Sequence, residues 1–230
     1  MHGTLAATMR TRLIFILSIG LTIDSWGQTR DKECRCPANE YVHTQPETLF
    51  KFSNEKTIAL CGNAINKGAD KIFSEFVLSV CGQEKIIDFW DAMTFCKVKA
   101  EKDTIIIEEL KYLATGVNQE IKPTIWTFEK VYFNSGVIER KITINKNIRK
   151  YGLHEIESVI KEYEISGGGI DDRKMLISDK LFIATISGDK KARKYFYEFK
   201  NKFGPLDGAF AEQYEELTAM LKIWDKHSSS

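Results

Sequence analysis

The sequence predicts an α+β fold: an antiparallel β-sheet over about residues 57–146, followed by a bundle of about four helices over 150–226. Three observations carry this prediction. Before Lys146 the apolar residues alternate or gather in β-branched and aromatic runs; after it they step by three and four; turn residues stand at the joints.

The strands follow in chain order. Residues 28–56 are polar, contain Pro37 and Pro46 and hold no periodicity, so an irregular N-terminal arm is expected there. Thr57 to Gly62 fits a short strand or the start of a helix equally well. Ile72, Phe76, Leu78 and Val80 make an imperfect strand ending at Cys81-Gly82, and Ile86 to Asp91 is ambiguous in type. Cys96, Val98 and Ala100 alternate with Lys97, Lys99 and Glu101, the repeat of a half-buried strand. Lys102-Asp103 then turns the chain into the β-branched run Thr104–Ile107, giving a hairpin of 94–101 with 104–110. A second hairpin joins Thr124–Phe133 to Val137–Ile144 through Asn134-Ser135-Gly136, where glycine accepts the positive φ of a tight turn.

The helices are read from their stripes. Leu153, Ile156, Ile160 and Tyr163 predict a helix over 152–164 that ends at Gly167-Gly168-Gly169. Asp171-Asp172 offers an N-cap to a helix carrying Met175, Leu176, Phe182 and Ile183. Ser187-Gly188-Asp189 opens a third, striped by Ala192, Phe196, Phe199 and Phe203 and stopped by Gly204-Pro205. Phe210, Tyr214, Leu217, Leu221 and Trp224 mark the last. No Pro- or Ser-rich linker separates the halves, so residues 57–230 are expected to form a single α+β domain.

The N-terminus predicts export. Arg10 and Arg12 precede the apolar run Leu13–Ile23, and Ser25 and Gly27 sit where a signal peptidase needs small residues, so residues 1–27 read as a cleavable signal peptide. That run spans only ~16 Å as a helix against a hydrocarbon core of ~30 Å, and no integral membrane segment is expected after cleavage. The full chain carries 33 basic and 32 acidic side chains; losing Arg10, Arg12 and Asp24 leaves 31 of each. A balanced chain lacks the cationic excess that grips nucleic acid, so none is expected as a partner.

Export changes the reading of Cys34, Cys36, Cys61, Cys81 and Cys96, because an oxidising compartment pairs thiols and five is odd. The expected arrangement staples Cys34 or Cys36 to Cys61 and bridges Cys81 to Cys96 across adjacent strands. The alternative for Cys81 and Cys96 is that they are small buried hydrophobes. Two disulfides and one free thiol are expected.

Catalytic motifs are missing. There is no Gly-x-Ser-x-Gly, His154 and His227 form no i,i+4 zinc pair, and Cys34-x-Cys36 with His43 matches no usual metal spacing. Neither metal nor cofactor is expected. If a hairpin face is open, Trp126 and Phe128 are the preferred binding residues. The expected function is an exported, periplasmic or secreted, non-enzymatic domain that binds a protein, peptide or surface partner. The alternative is an exported hydrolase using carboxylates, with Glu108, Asp88 or Asp91 as acid or base.

Overall fold

A computed structural model of the chain describes residues 34–37, 45–65, 71–83 and 85–228. The expected signal peptide, and residues 28–33 and 38–44 of the arm that follows it, lie outside those residues. Lys32–Ser230 forms one compact unit.

Among the described residues eight strands make one antiparallel sheet. They are β1 (Thr48–Lys51), β2 (Thr57–Ala64), β3 (Phe73–Val80), β4 (Lys85–Trp90), β5 (Phe95–Glu101), β6 (Thr104–Leu113), β7 (Lys122–Asn134) and β8 (Val137–Ile144). The helices are α1 (Leu153–Ile165), α2 (Asp172–Ile186), α3 (Lys190–Tyr197), α4 (Phe199–Phe203) and α5 (Gly208–Ser228). The fold is α+β, with sheet and helices segregated along the chain.

Two expectations change in detail. The arm ends in a strand: β1 pairs with β2 from Thr48↔Leu60 to Lys51↔Thr57. Four residues show too little alternation to betray a strand; what makes β1 one is its pairing with β2. The third expected helix divides at Glu198, whose φ −84°, ψ 1° lies in the bridge region between helix and strand. The caps read from sequence are in place, with Asp171 accepting from Lys174 N at 2.9 Å and Asp189 from Ala192 N at 2.7 Å.

The sheet curls on itself because β3 changes neighbour along its length. Phe73 pairs with Cys96 of β5, while Phe76 to Val80 pair with β4. The β1–β2 hairpin thereby reaches the far end of the sheet. Lys56 Nζ donates to the Gly136 carbonyl at 3.1 Å in the β7–β8 turn, and the Phe52 and Phe133 rings meet edge-on at 5.3 Å. Inside the curl lie Ile58, Leu60, Phe73, Phe76, Leu78, Cys96, Ile105, Ile107 and Val131. Each large apolar side chain buried there contributes roughly 1.5–3 kcal/mol over leaving it in water.

A second core joins sheet to helices. Leu113, Ala114 and Trp126 pack against α2 and its neighbours, through Phe182, Phe196, Leu221 and Trp224. Helix α2 is buried nearly all round, touching α1, α3, α5 and β6. That wrapping places a carboxylate in the interior. No helix among the described residues is long and apolar enough to cross a membrane.

The cysteines pair as Cys34–Cys81 and Cys36–Cys61, with Cys96 free and buried. Cys36 to Cys61 is one of the expected staples. The Cys81–Cys96 bridge is corrected. Cys96 faces the interior of the curl, packed with Phe73 and Phe76, whereas Cys81 packs with Cys34, Cys36, Cys61 and Val77 in a separate cluster. Two disulfides fit an oxidising setting outside the cytosol.

Candidate functional site

The seam between β6 and α5 holds the most functional geometry, and a local irregularity creates it. Thr127 of β7 pairs with Glu109 of β6, and Ile125 with Leu110, which leaves Trp126 as the extra residue of a β-bulge. The bulge turns the Trp126 side chain into the helix–sheet core, 6.0 Å from Phe182 and 6.1 Å from Trp224 between ring centroids. Strict alternation would set Trp126 and Phe128 on one face. The bulge parts them: Trp126, preferred as a binding residue if a hairpin face is open, is only 2% exposed, and Phe128 is half-buried on β7.

Lys111 stands at the centre of the seam. Its Nζ lies 2.6 Å from Glu216 Oε1 of α5 and 3.1 Å from Glu109 Oε1 of its own strand. Burial pulls the ammonium toward neutrality, but Glu216 and Glu109 more than offset it and hold it above the ordinary lysine range. Thr127 Oγ1 donates to the other Glu109 oxygen at 2.7 Å. This bridge separates two grooves.

The first groove, about 360 Å³, has Trp126 in its lining and is bordered by Ile142, Ile144, Ala219, Ile223 and His227. Helix α5 runs through His227, which sets that residue at the groove's border. The second groove, about 280 Å³, lies between Phe95, Leu110, Tyr112 and Ile121 on the sheet side and Leu217 and Met220 on α5. Asp179 of α2 lines it while being only 3% exposed.

Asp179 is the most perturbed carboxylate of the described residues. Burial pushes it up to about 7; the hydrogen bond from Gln213 Nε2, 2.8 Å from Oδ2, works the other way, and the charge of Glu216 raises it further. A carboxyl poised near neutrality in an apolar-walled groove marks a candidate functional site. Sequence reasoning passed over it. The available signal was an acid inside the near-continuous apolar stretch Met175–Ile186, a pattern of a helix buried on every side.

The carboxylates singled out in sequence sit elsewhere, and none lines either groove. Glu108 faces Lys99, Oε1 to Nζ 2.7 Å. Asp91 caps a turn, accepting from Met93 N at 3.0 Å and Thr94 Oγ1 at 3.1 Å. Asp88 is ion-paired to Arg140 of β8, which also binds the buried Glu129 and lies 5.5 Å from the Trp90 ring centroid. That arginine holds β4 against β8 across the curl. It is a fastening.

Exposed apolar side chains rim the seam. Met93, Tyr112 and Ile121 stand beside the second groove, with Ile142 and Ile223 beside the first. Scattered exposed apolar residues are ordinary, but a set gathered around two grooves is the composition of a contact surface. Among family models, curated proteins and solved structures, none matches this chain.

Proposed function

We propose that the chain is an exported, non-enzymatic binding domain whose partner is a protein or peptide segment seated along the β6–α5 seam. The observation that carries this reading is the pair of grooves flanking the Lys111–Glu216 bridge, rimmed by Met93, Tyr112, Ile121, Ile142 and Ile223. Apolar side chains of a bound segment would enter the grooves, and the bridge would order the backbone between them. Such an interface concentrates its energy in a few well-packed anchors. The two disulfides support a site of action in the periplasm or outside the cell.

The test is a display selection of random 12-residue peptides on the mature, oxidised chain. Enriched peptides should carry large apolar residues and should lose binding to Tyr112→Asp and Ile142→Asp. Val137→Asp, an exposed apolar position at the start of β8, should leave binding unchanged. A selection without enrichment, or equal loss in all three variants, would overturn the reading.

A second reading draws on Asp179. A carboxyl near neutrality suits general acid–base catalysis, so a carboxylate hydrolase would use Asp179 in place of Glu108, Asp88 or Asp91. It ranks second because the surrounding rim is mainly exposed and apolar.

A further inference from the structure

Charge does not balance around the second groove. Asp179, Glu216 and Glu109 face one cation, Lys111, and Lys111 already contacts Glu216 and Glu109. Among the described residues Asp179 has no cationic partner. Gln213 alone of those residues donates to it, at Oδ2, which leaves Oδ1 without a donor in a groove that the carboxylate lines. A buried carboxylate placed so is costly unless something cationic joins it. The other groups that face it add no positive charge: Tyr112 on β6, Glu216 on α5, and Tyr151 before α1, whose hydroxyl is committed to the Ala114 carbonyl.

The groove above Asp179 is shaped for a long apolar stem. Phe95, Leu110, Leu113, Leu217 and Met220 make its walls, and about 280 Å³ suits a single extended side chain better than a drug-sized ligand. Lysine and arginine bury such stems while their charged heads seek a polar contact.

We infer that this groove is a subsite for one basic side chain of the bound segment, its ammonium or guanidinium seated on Oδ1 of Asp179. The inference rests on the peptide-binding reading above and names the chemistry of the partner: an apolar segment with one lysine or arginine. The seat also couples binding to pH. Only ionised Asp179 attracts the cation, and with its carboxyl at about 7 the competent fraction rises about tenfold between pH 6 and pH 8.

The experiment takes the tightest lysine- or arginine-containing peptide from the display selection and its counterpart with norleucine at that position. Both are titrated calorimetrically against the wild type and Asp179→Asn at pH 6 and pH 8. The expected result is about tenfold tighter binding of the basic peptide at pH 8 than at pH 6, and at least tenfold weaker binding of the norleucine peptide at pH 8. Asp179→Asn should abolish both differences, and cooperative urea unfolding of the variant shows that it is folded. Enriched peptides without basic residues, equal affinity of the two peptides, or a basic preference that survives in Asp179→Asn would each overturn the subsite and leave the binding surface standing. A selection with no enriched peptides would overturn both.

Discussion

Gln213 Nε2 donates to Asp179 Oδ2 at 2.8 Å across the α2–α5 interface, to a carboxylate that is only 3% exposed. Because burial raises Asp179 above its ordinary range to about 7, the folded state holds its proton where the unfolded chain has released it. The contribution to stability is therefore fully present below pH ~4 and is lost as pH rises toward 7. Asp179→Asn removes that loss. Urea unfolding should show little difference between variant and wild type at pH 4, and a variant more stable by a few kcal/mol at pH 8, since each tenfold difference in proton affinity between the folded and unfolded chain corresponds to roughly 1.4 kcal/mol. A constant difference across that range would contradict the assignment.

Arg140 is expected to matter for stability through Glu129 more than through Asp88. The Glu129 side chain is 8% exposed and loses its partner when Arg140 is replaced, whereas Asp88 at 38% is solvated without it. Breaking a buried pair costs roughly 3–5 kcal/mol; the guanidinium is itself 36% exposed, so Arg140→Met should cost about 2 kcal/mol. Adding Glu129→Gln should recover part of it, and Asp88→Asn alone should cost under ~1 kcal/mol. A double-mutant cycle by urea unfolding reads all three.

The cysteines give a direct chemical check. Peptide mapping without reductant should return Cys34–Cys81 and Cys36–Cys61. Cys96 should resist alkylation until the chain unfolds, because burial, with Glu109 and Glu129 adding to it, pushes its thiol up to about 12. Loops of 25 and 47 residues correspond to roughly 3–4 kcal/mol each in the chain-entropy model. One loop encloses the other, so removing both should cost less than the sum.

Gly62 should tolerate no side chain. A Cβ there would stand 2.5 Å from the Glu75 carbonyl oxygen and from Phe76 Cβ, beside the bulge between Gly62 and Ala64. Backbone atoms cannot step aside, so Gly62→Ala should cost about 2 kcal/mol or more in thermal unfolding. Gly136→Ala meets nothing within 4 Å, and only its φ of +82° opposes it; a cost near ~1 kcal/mol is expected.

How far sequence carries depends on whether the signal is local. The hairpins β5–β6 and β7–β8 were legible from alternation and from Asn134-Ser135-Gly136, because strand period and turn chemistry are properties of neighbouring residues. The caps at Asp171 and Asp189 were legible for the same reason, each bonding an amide three residues on. β1 was not legible, since its pairing with β2 rather than its own four residues makes it a strand. Nor was the separation of Trp126 from Phe128, since a bulge is a mismatch between two strands and neither strand states it alone.

By itself, then, the sequence determined the α+β class, the order of the main elements, and a cysteine count that leaves one thiol over. Tertiary structure decided which cysteines meet and that Asp179, on a helix wrapped by β6 and α5, is buried beside Glu216 with one hydrogen-bond donor among the described residues. Periodicity records how a residue stands to its own element. The environment of a carboxylate is set by elements distant along the chain, and it exists only once they have packed.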